Sequence, residues 1–172
     1  MSSPEFVLAT LVAAPKSSPT PYLPRARTCI YRGLWAELPV NKHNPAPQNP
    51  SVFQSDLLTF TSDVRMSKIP EIFASSAGHG DVSQSQGSGG GGAVEAVFWV
   101  KETQTQWRVS GVAFVVAGDV EGEGDESSGV RTLKSEVGER MRCLDEEKKS
   151  EWSWGRELNA HFGNVSPGMR GR

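Results

Sequence analysis

Short apolar runs separated by polar, Pro-rich connections set the pattern of this chain. "FVLATLVA" (residues 6–13) is almost continuously apolar and predicts a buried β-strand. "RARTCIYRGLW" (25–35) mixes aromatic and β-branched residues in an extended pattern and predicts a second. "FQSDLLTFTS" (53–62) predicts a third, "AVEAVFWV" (93–100) a fourth and "TQWRVSGVAFVVAG" (105–118) a long fifth. Only about "KETQ" separates the last two, which predicts an antiparallel hairpin. Gln104, Gln106 and Arg108 alternate there and should share one face, with Trp107 and Val109 on the other. That row is either the wet face of an edge strand or a polar wall donating to a ring or a phosphate.

Helical signals come between and after the strands. Ser67 is expected to cap a short helix with Pro70 and Glu71 in its first turn. "VRTLKSEVGERMRCLDEEKKSEW" has helix-forming composition weakened by Gly138, and "WGRELNAHF" suits one more short helix. "PKSSPTPYLP" and "PVNKHNPAPQNPS" read as loops. Residues 75–92, rich in Gly and Ser, read as a disordered insertion, and 119–129 as an acidic loop. Strands joined by loops, with no alternation of strand and helix, predict an α+β fold built on an antiparallel sheet or barrel. The length of 172 residues predicts a single domain over 1–172.

Charge narrows the candidate chemistry. A net charge of −2 argues against a polyanion-binding field, and so against a nucleic-acid partner. No run is long and apolar enough for a membrane span, and the start lacks the basic residues of a signal peptide, so the expected location is cytoplasmic. Cys29 and Cys143 lack CxxC spacing and read as free or structural thiols. His43, His79 and His161 form no catalytic triad order or HExxH spacing, so no catalytic residue and no metal site is assigned. "GSGGGG" lacks the Lys-Ser/Thr of a phosphate loop. If the chain is an enzyme, a bound cofactor carries the chemistry.

Cations crowd one stretch. "FTSDVRMSK" places Thr61, Ser62, Arg65, Ser67 and Lys68 where a strand gives way to a helix, a corner suited to an anion. Arg27, Arg32 and Arg108 fall at other strand edges or ends. Singly, each reads as a solvated surface charge.

"RARTCIYRG", "LLTFTSDVRMSK" and "EAVFWVKETQTQWRVSG" together resemble the successive FMN-binding segments of the pyridoxamine 5′-phosphate oxidase-like proteins. The resemblance covers most of residues 5–118, and the tail "WSWGRELNAHFGNVSPGMRG" is similar to the fungal and bacterial FMN-binding branch. It implies a split β-barrel, a homodimer and FMN at the dimer interface. It further implies that Arg27 contacts the FMN phosphate, that the backbone of Thr28, Cys29 and Ile30 lies beside the flavin ring, and that Lys68 is the FMN-phosphate lysine, with Ser62 at the family's strand-end threonine and Ser67 where many relatives have arginine, all among the cofactor-binding residues. Gln106 and Arg108 match the hairpin glutamine and arginine, and Arg32 matches a position that holds substrate phosphate in the oxidases. The oxidases' C-terminal tryptophan and arginine have no counterpart before Arg172, so a truncated product is expected. The implied activity is an FMN-dependent oxidoreductase. The alternatives are a non-catalytic flavin- or haem-binding module, with His161 as the axial ligand, and an inert remnant.

Overall fold

The computed structural model describes residues 5–76, 87–121 and 127–165. Two compact units share the chain, Met1–Ile30 with Ser62–Val115 and Tyr31–Thr61 with Val116–Arg172. Neither is continuous in sequence.

In the first unit, β1 (Glu5–Ala13) lies between two antiparallel neighbours. It pairs with β2 (Tyr22–Leu34) from Glu5↔Ile30 to Ala13↔Tyr22. On its other side it pairs with β5 (Gly89–Val100) from Val7↔Val97 to Ala9↔Glu95. β6 (Thr105–Val115) pairs along β5 and completes the order β2-β1-β5-β6. The apolar run of β1 buries only alternate residues, Phe6, Leu8 and Thr10, while Val7 is 41% exposed. Helix α1 (Lys68–Ala74) covers that inner face with buried Ile69, Ile72 and Phe73. Phe6 stacks on Phe98 of β5, ring centroids 4.9 Å apart.

Two expectations need correction here. The polar row of the hairpin is shorter than its spacing predicts, because Gln104 belongs to the turn and adopts a left-handed φ of 52°. Its N–H bonds to the Lys101 carbonyl, which leaves Gln106 and Arg108 as the row. The Gly-rich stretch is not all insertion: Gly89–Gly92 open β5 and pair with β6 through a bulge, Ser75 is the C-cap of α1 and Ser76 bridges to Gly92, while residues 77–86 of the expected disordered segment lie outside the described residues. Close approach explains glycine here. A Cβ on Gly92 would overlap the Ile72 carbonyl, and Gly90 sits at φ +111° with its missing Cβ 2.8 Å from Ile72 Cγ2. Gly92→Ala is therefore expected to lower stability by about 2 kcal/mol, as overpacking does, whereas Gly111→Ala, which meets open space, is expected to be nearly neutral. Paired thermal melts of the two variants check this.

In the second unit the predicted third strand is broken into β3 (Phe53–Gln54) and β4 (Leu58–Phe60). Side chains draw the backbone out of the ladder between them. Ser55 N donates to Glu37 Oε1 at 2.8 Å, and its hydroxyl donates to the Trp35 carbonyl at 2.5 Å. β4 pairs with the Tyr31–Leu34 end of β2. The long predicted helix also divides. α2 (Ser128–Gly138), capped by Ser127, buries Val130, Leu133 and Val137 and stops at Gly138. The chain then forms β7 (Arg142–Cys143) against β3. Gly costs about 1 kcal/mol in a helix interior, and the ladder with β3 takes the backbone groups beyond it. The expected acidic loop at 119–129 is flanked by structure, a 3₁₀ turn over Gly118–Glu121 and the start of α2, and residues 122–126 lie outside the described residues.

α3 (Trp154–Gly163) forms where expected, capped by the Ser153 hydroxyl accepting from Arg156 N. Buried Trp35 gathers Trp154 at 5.6 Å, Trp152 at 6.4 Å and the stacked His161 ring at 5.4 Å. The Pro-rich loop before β3 is strapped to α3 by asparagines. Asn49 donates to Glu157 Oε2 at 2.9 Å, Asn44 to the Ala160 carbonyl at 2.8 Å and Asn41 to Asn164 at 3.0 Å.

Candidate flavin site on the first unit

Lys68 is the first residue of α1 and is only 6% exposed. Its Nζ donates to Ser62 Oγ at 2.9 Å. Among the described residues no carboxylate lies within ion-pair distance of it. An ammonium carries three donors, and one hydroxyl is poor compensation for taking it out of water. Lys68 is thus a candidate contact for an anion.

The nearby charges are already committed. Arg65 forks onto Asp63, Nε to Oδ1 at 3.0 Å and Nη2 to Oδ2 at 2.6 Å, both exposed. That hydrogen-bonded guanidinium holds the Asp63 carboxyl well below the usual carboxylate range. The stretch that looked like a cluster of free cations thus supplies one. Ser67 stands at the cap position of α1 but has a helical φ of −54° and makes no side-chain cap bond, contrary to the expected N-cap. Its backbone carbonyl accepts from Glu71 N instead.

Arg27 lies on β2 opposite Leu8, on the face that α1 covers. Its Nη2 meets Glu71 Oε2 at 2.7 Å and its Nη1 donates to Thr10 Oγ1 at 2.5 Å. The Thr10 hydroxyl donates to the same Glu71 oxygen. Burial pushes the Cys29 thiol up, and the positive fields of Lys68 and Arg27 oppose that rise.

Sheet register sorts the remaining candidates. Thr28, Val7, Val97 and Arg108 form one row across four strands, on the face opposite α1, where Ile30 and Gln106 also lie by alternation. Arg108 is exposed there, with its Nε 3.7 Å from Glu95 Oε1. Arg27, Cys29, Ser62 and Lys68 therefore gather on the α1 side, and Thr28, Ile30, Gln106 and Arg108 do not join them. Arg32 belongs to the second unit, and its Nε is buried without a hydrogen-bond partner.

His161 offers no open face to a haem iron. It is 4% exposed, stacks on Trp35, and has its Nε2 3.2 Å from Glu157 Oε1. Among the described residues no cluster of three His, Cys, Asp or Glu could hold a metal ion. No helix there is long and apolar enough to cross a membrane.

Sequence reasoning missed Thr10 and misread Glu71. The signal for Thr10 was present, a lone hydroxyl at an inward position of an apolar strand. Glu71 was explained by the helix dipole, which gave no reason to look for a partner on β2.

An antiparallel sheet with short helices, carrying a buried lysine with no carboxylate at ion-pair distance among the described residues, makes this an α+β protein with a candidate anion site. The family model described as pyridoxamine 5′-phosphate oxidase, FMN-binding domain, matches residues 1–117, and the chain belongs to that family. FMN is accordingly its cofactor. Lys68 and Ser62 fit the phosphate of that group, since they offer a charge and a hydroxyl with no competing carboxylate. No curated protein and no solved structure matches the chain.

Proposed function

We propose that the chain holds FMN through its phosphate at Lys68, Ser62 and Ser67 and works as a flavin-dependent oxidoreductase in a homodimer. The buried Lys68, with a hydroxyl as its one partner, carries this reading. When bound, the flavin supplies hydride acceptance and release at its ring. The protein's part is to anchor the phosphate and to set the backbone of Thr28, Cys29 and Ile30 along the ring. Gln106 and Arg108 offer hydrogen bonds from a second copy, because register sets them on the other face of their own sheet. Arg32, with its buried unpartnered Nε, is the candidate for an anionic substrate.

The homodimer rests on the far end of the sheet. Trp107, 63% exposed, and exposed Val109 lie on one face of the hairpin, and exposed Trp99 and Val112 on the other. Trp107→Glu is expected to shift the protein to monomer, read by sedimentation velocity across concentration; an unchanged dimer would place the interface elsewhere.

The experiment that tests the cofactor is a visible spectrum after incubation with excess FMN and desalting. Retained flavin bands with quenched fluorescence are expected. A folded, colourless protein would overturn the proposal.

A further inference from the structure

Arg27 and Glu71 look at first like one ion pair among several, but their position beside Lys68 gives them a different weight. The Thr10 hydroxyl has a single proton, which goes to Glu71, and it accepts from Arg27 Nη1. Arg27 Nη2 closes the ring onto Glu71. Thr10 is 2% exposed and Glu71 7%. Moving Arg27 toward a ligand would strand a buried carboxylate, a costly outcome. The pair is also formally neutral, so of the three charges gathered around Thr10 and Ser62, those of Arg27, Glu71 and Lys68, only that of Lys68 remains to meet an anion.

We propose that Glu71 is an internal counter-anion that withholds Arg27 from the ligand, so that Arg27 positions β2 against α1 and Lys68 alone carries the phosphate charge. This rests on reading Lys68 as the phosphate anchor. It reverses the expectation, drawn from resemblance, that Arg27 contacts the phosphate directly. Glu71 then acts to weaken phosphate binding: its carboxylate cancels the second cation that a phosphate of nearly two negative charges would otherwise find.

The test compares wild type, Glu71→Gln and the double variant Arg27→Gln/Glu71→Gln. FMN and riboflavin are titrated by flavin fluorescence, and inorganic phosphate by thermal shift of the apoprotein. Glu71→Gln keeps a hydrogen-bonding side chain but frees the guanidinium, so FMN should bind at least about tenfold more tightly. Riboflavin, which lacks the phosphate, should be unaffected. The double variant exchanges one neutral pair for another and should bind FMN within about threefold of wild type. Weaker FMN binding by Glu71→Gln would overturn the proposal. So would a loss of about tenfold or more in the double variant at unchanged riboflavin affinity, since that is the mark of a direct contact by Arg27. If Glu71→Gln fails to fold, the double variant decides alone. If wild type binds no FMN, the flavin reading fails, and inorganic phosphate still reads the role of Glu71. Greater stabilisation of Glu71→Gln than of wild type by phosphate supports it, and equal or smaller stabilisation rejects it.

Discussion

Lys68→Met should weaken FMN binding by about 10- to 100-fold while leaving riboflavin affinity within about threefold, the cost of one charge-assisted hydrogen bond to phosphate. Methionine keeps the apolar stem that α1 buries, so packing against the sheet survives. It also removes a buried ammonium whose one described partner is Ser62 Oγ. The apoprotein should therefore melt at the same temperature or higher, even as the cofactor is lost. Opposite signs for stability and affinity separate a binding lysine from a structural one. Fluorescence titrations with FMN and riboflavin, run beside thermal melts, give both. Equal loss of the two flavins, or a lower melting temperature with unchanged FMN affinity, would rule out a phosphate role for Lys68. Added salt should erode the wild-type preference for FMN over riboflavin and leave the variant almost unmoved.

Trp35→Ala should cost about 3–5 kcal/mol, the range for emptying a large aromatic from a core, and lower the melting temperature by roughly 10 °C or more. Trp35 is 5% exposed and touches three aromatic rings, of Trp152, Trp154 and His161. No one of those neighbours can refill the space, because each is tied elsewhere: Trp152 edge-on to Phe53 at 5.3 Å, Trp154 edge-on to Trp152 at 5.3 Å, and His161 beside Glu157. Trp35→Phe, which keeps a ring in the stack, should lose far less. A loss for Trp35→Ala no larger than for Trp35→Phe would show that the cluster collapses around the gap and that Trp35 is not its centre.

Periodicity predicted the strands well where burial is one-sided or the pattern is long. The extents of β1 and β6 and the position of α3 are close to those expected from the sequence pattern, whereas β2 begins at Tyr22, inside the stretch read as a loop. It failed where a long-range partner outweighs local preference. Gly89–Gly92 read as linker because glycine disfavours strands, and only the passage of α1 over them turns that weakness into a requirement. Ser55 donates its hydrogen bonds to Glu37 and Trp35, which no window on residues 53–62 contains. The tryptophan cluster joins Trp35 to Trp152 and Trp154, far apart in sequence, and was invisible for the same reason.

The site divides in the same way. Lys68 and Ser62, six residues apart, could be matched from local sequence. The state of Arg27 could not, because it depends on Thr10 and Glu71, one from β1 and one from α1. A count of cations from sequence gave five, and geometry subtracts those already paired, Arg65 with Asp63, Arg27 with Glu71 and Arg108 with Glu95.

The interleaved order of the two units has a consequence for synthesis. β1 meets β2 as soon as Tyr22–Ile30 is made, but its other edge stays open until Val97 is available for Val7. At about 5–20 residues per second, that leaves an apolar edge strand exposed on the ribosome for several seconds. The second unit in turn cannot close around Trp35 until Trp152 and Trp154 emerge. Yield in cells should therefore depend on translation speed and on chaperones that hold extended apolar segments, more than on the stability of the finished protein.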